Sequence, residues 1–189
     1  MNQPIMWYAS RATGLVALVL FTASLVIGVL SSGRFAGTRW PRFAVAAVHR
    51  NVSLLAVVFL AVHIGTSIID PFAGIGWLDA IVPFGSIYHP FWLGLGAVAT
   101  DLLVAVVITS LLRPRVNLRL WQWVHWTSYA CWPLAVAHGI GVYPIDFRIG
   151  WVFALDIACV VVVIVAIGWR VGVSHPDTDV RAGRHLTGM

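Results

Sequence analysis

The chain has 189 residues, of which 60% are hydrophobic and only 10% charged. A soluble domain of this length cannot hide so much apolar surface, so a water-soluble globule is excluded and an integral membrane protein is indicated. The net charge of +5 comes from twelve arginines against seven aspartates. The arginines gather at the ends of apolar runs, which suits helix orientation and anionic lipid rather than nucleic acid.

Five spans are predicted in chain order: about Trp7 to Leu30, Phe43 to Ile69, Pro90 to Leu112, Leu118 to Ile140, and Ile149 to Val171. Each has the roughly 20 residues a helix needs to cross the hydrocarbon core. Helices are expected because backbone polar groups facing lipid must be satisfied within their own segment. The first run is long enough to span and has no basic flank before it, so no cleavable signal peptide is expected. Arg34, Arg39 and Arg42 lie between the first two spans, Arg113, Arg115 and Arg119 between the third and fourth, and Arg170, Arg181 and Arg184 after the fifth. The other two loops hold Arg148 with Asp70, Asp79 and Asp146. The positive-inside rule then places the N-terminus outside and the C-terminus in the cytoplasm of a multi-pass protein of the cell membrane. The loop from Asp70 to His89 is rich in Gly and Pro yet apolar; it is expected to lie along the outer surface or dip into it as a short helix. Residues 1–173 read as one membrane domain and 174–189 as a flexible cytoplasmic tail carrying His175 and His185, with no internal repeat.

The chemistry sits in four histidines. His49 and His63 share the second span, fourteen residues apart, which is a rise of ~21 Å and a rotation only roughly 40° short of whole turns. His125 and His138 share the fourth, thirteen apart, and an ideal helix turns them roughly 220° from one another. Pro133 lies between them, and a proline kink is one way to bring the two rings toward a common axis. The second and fourth spans run parallel, so His49 and His125 share one depth, and His63 and His138 another. An ionisable side chain within a membrane helix is by default a functional-site hypothesis. Histidines acting only as hydrogen-bonding glue between helices are the bland reading, and matched depths on parallel helices argue against it. Zinc or copper favours clustered ligands, whereas two separated layers of two imidazoles fit the axial positions of two haem irons. An iron so ligated has no free position and suits electron transfer.

Other residues carry weaker signals. Arg50 follows His49 and is either a partner for a haem propionate or an ordinary inside-flanking arginine. Arg119 reads as a topology anchor. Asp101 lies mid-span, a candidate acceptor for a ligand histidine or, more ambitiously, a proton relay. Asp156 matches Arg11 in depth, suggesting an ion pair. Tyr88, His89 and Asp79 lie in the outer loop, either facing an external acceptor or as plain interfacial residues. Trp126 and Trp132 are expected to pack rather than relay electrons, and Cys131 and Cys159 to be small buried packing residues.

On these residues the chain resembles the ferric reductase-like transmembrane domain family, which includes ferric reductases, the membrane part of NADPH oxidases and the haem-binding subunit of the bacterial methionine sulfoxide reductase system. The resemblance rests on His49-Arg50 with His63, on Trp121-x-x-x-His125-x-x-x-Tyr129 with His138-Gly139, and on the stretch Pro90 to Arg115; it covers roughly residues 8 to 171. With the five spans read above, it points to an all-α bundle of five transmembrane helices enclosing two stacked haems, one span short of the six that family members commonly have. It further implies non-covalent haem b held by bis-histidine ligation and electron flow across the membrane. The flavin and nicotinamide domain of the ferric reductases and oxidases has no counterpart in the short polar tail. The implied donor is therefore a separate flavoprotein reductase or a membrane quinol, and the acceptor an external ferric complex or a protein. A superoxide-generating oxidase is disfavoured for the same reason. The expectation from a different class is a haem-free membrane scaffold or transporter.

Overall fold

The structure is a computed structural model that describes residues 3–32, 41–71, 74–142 and 150–173. Helix α1 covers Gln3–Ser32, α2 Arg42–Ile69, α3 Pro90–Leu111, α4 Leu118–Trp126, α5 Ser128–Val142 and α6 Gly150–Val173, with a 3-10 turn at Arg113–Arg115 between α3 and α4. No strand occurs among the described residues. Helices α1, α2, α3 and α6 are each long and apolar enough to cross a membrane. The tail from 174 to 189, and with it Arg181, Arg184, His175 and His185, lies outside the described residues, as do Arg34, Arg39, Asp146 and Arg148.

The predicted fourth span is two helices rather than one. The break falls at Thr127, six residues before Pro133, which continues inside α5. The Val124 carbonyl is taken by the Thr127 amide at 3.1 Å and by the Thr127 hydroxyl at 2.7 Å. That tightens the turn to a three-residue step and ends α4. With 9 and 15 residues, neither piece crosses a bilayer alone. Together they follow α3, which packs against both.

Helix ends follow local chemistry. Pro90 opens α3 at a position whose amide needs no partner, and the Asn117 side chain accepts the Arg119 amide at 2.8 Å to start α4. Residues 74–89 ahead of α3 form a series of turns, so the short-helix alternative for this loop is not what the described residues adopt. Gly74, Gly76, Pro83 and Gly85 interrupt it, and Phe84 adopts a positive φ of 65°. From there the Phe84 ring lies where a Cβ on Gly94 would stand, which seats the loop on α3.

Helix α1 is the central post. It packs most extensively on α2 and also touches α5 and α6. A buried cluster joins these elements: Leu25 and Val29 of α1, Trp132 and Val136 of α5, and Cys159, Val163 and Ala166 of α6. Trp132 donates its indole N–H to the Thr22 hydroxyl at 2.9 Å, tying α5 to α1. Only 6% of the apolar window of α2 is buried, against 22% for the other three long helices. Among the described residues α2 packs most extensively on α1, and its histidines face α4 and α5.

Candidate functional site

The four histidine rings stand in two layers, His49 opposite His125 and His63 opposite His138, each with ring centroids 6.3 Å apart. The rings within a layer are steeply inclined, at 66° and 80°. Two metal–imidazole bonds of about 2 Å each, plus the short step from each nitrogen to its ring centre, add to about 6 Å. The gap thus accepts one metal atom. The break at Thr127 is what lets α4 and α5 present His125 and His138 to the same side, since thirteen residues of unbroken helix would not.

Three of the four rings are fixed in the same way. The Nδ1 of His63 lies 2.8 Å from the Ser10 carbonyl, that of His49 3.0 Å from the Ser24 carbonyl, and that of His138 2.9 Å from the Trp92 carbonyl. A carbonyl only accepts, so each Nδ1 carries the proton and each Nε2 keeps its lone pair. This is the tautomer and the outer partner that a metal-bound histidine needs. Four residues beyond each carbonyl stands a glycine. A Cβ would come within 2.9 Å of the His63 ring at Gly14, 3.4 Å of His49 at Gly28 and 2.6 Å of His138 at Gly96.

The α1–α2 half of the site is built on a repeat that the sequence alone did not reveal. Ser10 and Gly14 recur fourteen residues later as Ser24 and Gly28. On the antiparallel partner, His49 and Ser53 recur as His63 and Ser67. The serine hydroxyls meet in matching pairs, Ser10 with Ser67 and Ser24 with Ser53, both at 2.6 Å. Small residues let the helices approach until the carbonyls reach the imidazoles. The signal was in the chain as two Ser-x-x-x-Gly and two His-x-x-x-Ser steps, but its meaning appears only when the helices are paired.

The fourth ring is held differently. His125 Nδ1 is buried without a hydrogen-bond partner among the described residues. Its ring stacks on Trp121 instead, with centroids 5.0 Å apart and planes inclined by 23°.

Around the His63–His138 layer lies an apolar cavity of about 1350 Å³, counting its open side. Leu18, Phe21, Leu60 and Leu103 line it, together with Gly14 and Gly96. Arg11 and Asp156 both reach its wall, and so does Asp79 of the loop. A mainly apolar space bordered by two glycines, with two facing imidazoles and an arginine in its wall, fits a macrocycle carrying carboxylates.

The remaining candidates fall elsewhere. Asp101 is exposed on α3, so the acceptors that orient the ligand rings are backbone carbonyls rather than this carboxylate. Arg50 and Arg119 are exposed. His89 is exposed at the start of α3 in the left-handed region, its ring edge-on to Tyr88 at 4.6 Å. Burial, and then the nearby Asp70 carboxylate, push the Tyr88 phenol above its usual range. Trp126 is exposed and Trp132 buried, while Cys131 and Cys159 are buried free thiols.

No curated protein and no solved structure matches this chain. The family model described as ferric reductase like transmembrane component matches residues 13–136, which takes in His49, His63 and His125 and stops two residues before His138. With well over half its length matched, and with paired histidines along apolar helices, the chain belongs to the ferric reductase-like transmembrane component family.

Proposed function

We propose that the protein is a di-haem b cytochrome that passes electrons across the cell membrane. The reading rests on family membership, which implies membrane electron transfer. The observation that carries it to two haems is the pair of histidine layers with 6.3 Å gaps and carbonyl-fixed Nδ1 atoms. His49 and His125 form the inner, cytoplasmic layer; His63 and His138 form the outer one. Along α2 the layers are ~21 Å apart. Haem b, when bound, supplies the one-electron chemistry.

The chain's own residues supply the rest. The imidazoles of His49 with His125 and of His63 with His138 would hold the irons, and a bis-imidazole iron would suit electron transfer rather than substrate binding at the metal. The carbonyls of Ser10, Ser24 and Trp92 orient three of the rings and raise their basicity. Leu18, Phe21, Leu60 and Leu103 give the space around His63 and His138 an apolar wall. Arg11 in the cavity wall, and Arg50 near the cytoplasmic face, offer charge for propionates. The donor is a separate flavoprotein reductase or a membrane quinol, and the acceptor an external ferric complex or a partner protein.

The test is a reduced-minus-oxidised visible spectrum of the purified protein with pyridine haemochrome quantitation. About two b-type haems per chain are expected on bis-histidine ligation. A colourless protein, even with haem supplied during expression, would overturn the reading and leave a helical scaffold or transporter.

A further inference from the structure

Three histidines are oriented by a backbone carbonyl with a glycine four residues on. The α3 helix carries this pair as Trp92 and Gly96 for His138. Fourteen residues further along α3, where a second pair would serve His125, stand Val106 and Ser110. The glycine is missing there, and His125 Nδ1 has no acceptor among the described residues. What meets the ring is Trp121, one turn earlier on α4, in a near-parallel stack. Trp121 is itself held from two sides. Its indole N–H lies 3.3 Å from the Ser110 hydroxyl, and the Arg113 guanidinium sits over the ring at 4.6 Å. The serine in place of glycine therefore tethers the tryptophan that replaces the carbonyl.

We infer that Trp121 is the positioning residue for His125, substituting an aromatic stack for the carbonyl anchor used at the other three ligands. The inference rests on the haem reading above. A stack restrains the plane of a ring but makes no hydrogen bond to Nδ1. The His125 ligand is consequently the one most easily displaced, and the His49–His125 layer is where loss of a single side chain opens an axial position.

The experiment uses the full chain purified in detergent as wild type, Trp121→Ala and Trp121→Phe. Haem stoichiometry, carbon monoxide difference spectra of the reduced protein, low-spin EPR signals and potentiometric titration are recorded for each. The wild type is expected to hold two haems that do not bind carbon monoxide. In Trp121→Ala about half of the haem should become reactive to carbon monoxide or be lost. One midpoint potential should move while the other stays. Trp121→Phe, which keeps a stacking face, should behave as wild type. If Trp121→Ala does not accumulate, Trp121→Leu, which keeps apolar bulk without a stacking face, carries the same expectation. Two carbon monoxide-inert haems with both potentials unchanged would overturn the inference, as would equal loss of both haems. A haem-free wild type would instead overturn the underlying haem reading, so the two failures are distinct.

Discussion

The two histidine layers have the same ring separation and different supports. At His63–His138 both rings donate to carbonyls, of Ser10 and Trp92, and both lie against glycines whose missing Cβ atoms make the approach possible. At His49–His125 one ring has this support and the other rests on an indole. A ligand pair can thus be set to one spacing by rigid hydrogen bonds or by looser aromatic contact. The difference lies in how much disturbance each layer absorbs before the spacing fails.

The largest effect that sharpens this comparison is removal of a ligand. His63→Ala should take away one haem and leave the other, so pyridine haemochrome quantitation should fall by about half. Retention of the full haem content would break the assignment of His63.

Next come the glycines. Gly96→Ala places a Cβ 2.6 Å from His138 Nδ1, whereas Gly28→Ala meets His49 only at 3.4 Å. Haem retention at the His63–His138 layer should weaken about 10–100-fold in the first variant, the range for a disturbed outer partner of a metal-bound histidine. Gly28→Ala should retain both haems. The reverse order of sensitivity would show that ring fixation does not depend on these close approaches.

A third expectation concerns spectroscopy rather than loss. Rings inclined at 66° and 80° predict highly anisotropic low-spin EPR signals from both layers. Signals typical of parallel imidazoles would show that the rings turn when a macrocycle enters.

The smallest effects belong to the serines. Ser10→Ala and Ser24→Ala each remove one hydroxyl–hydroxyl bond between α1 and α2, at a cost of about 1 kcal/mol. The anchoring groups are the carbonyls of these residues, which alanine retains. Thermal unfolding should shift downward slightly in each while haem content stays at the wild-type value. Matching loss of haem would mean that the hydroxyls, not the carbonyls, orient the rings.

Much of the architecture was legible in the chain, because it depends on local composition. Apolar runs bounded by Arg, Pro and Gly located α1, α2, α3 and α6 within a few residues of their ends. Residue spacing and span direction also gave the pairing of histidines by depth, since rise along a helix is fixed by its own geometry. The kink expected at Pro133 is not where the span divides: Pro133 continues inside α5, and the break falls at Thr127, where a hydroxyl competes for a carbonyl.

By itself the sequence determined that this is a helical membrane protein and paired its four histidines by depth, because hydropathy and helical rise are properties of a single segment. Only the tertiary structure decided what holds each ring. An acceptor for Nδ1 is a carbonyl on another helix, every residue has one, and which carbonyl comes within 3 Å depends on packing. The same packing turned Asp101 outward and placed Trp121, rather than a carbonyl, against His125. Side chains announce themselves in a sequence; backbone groups that reach across a helix pair do so only once the pair has formed.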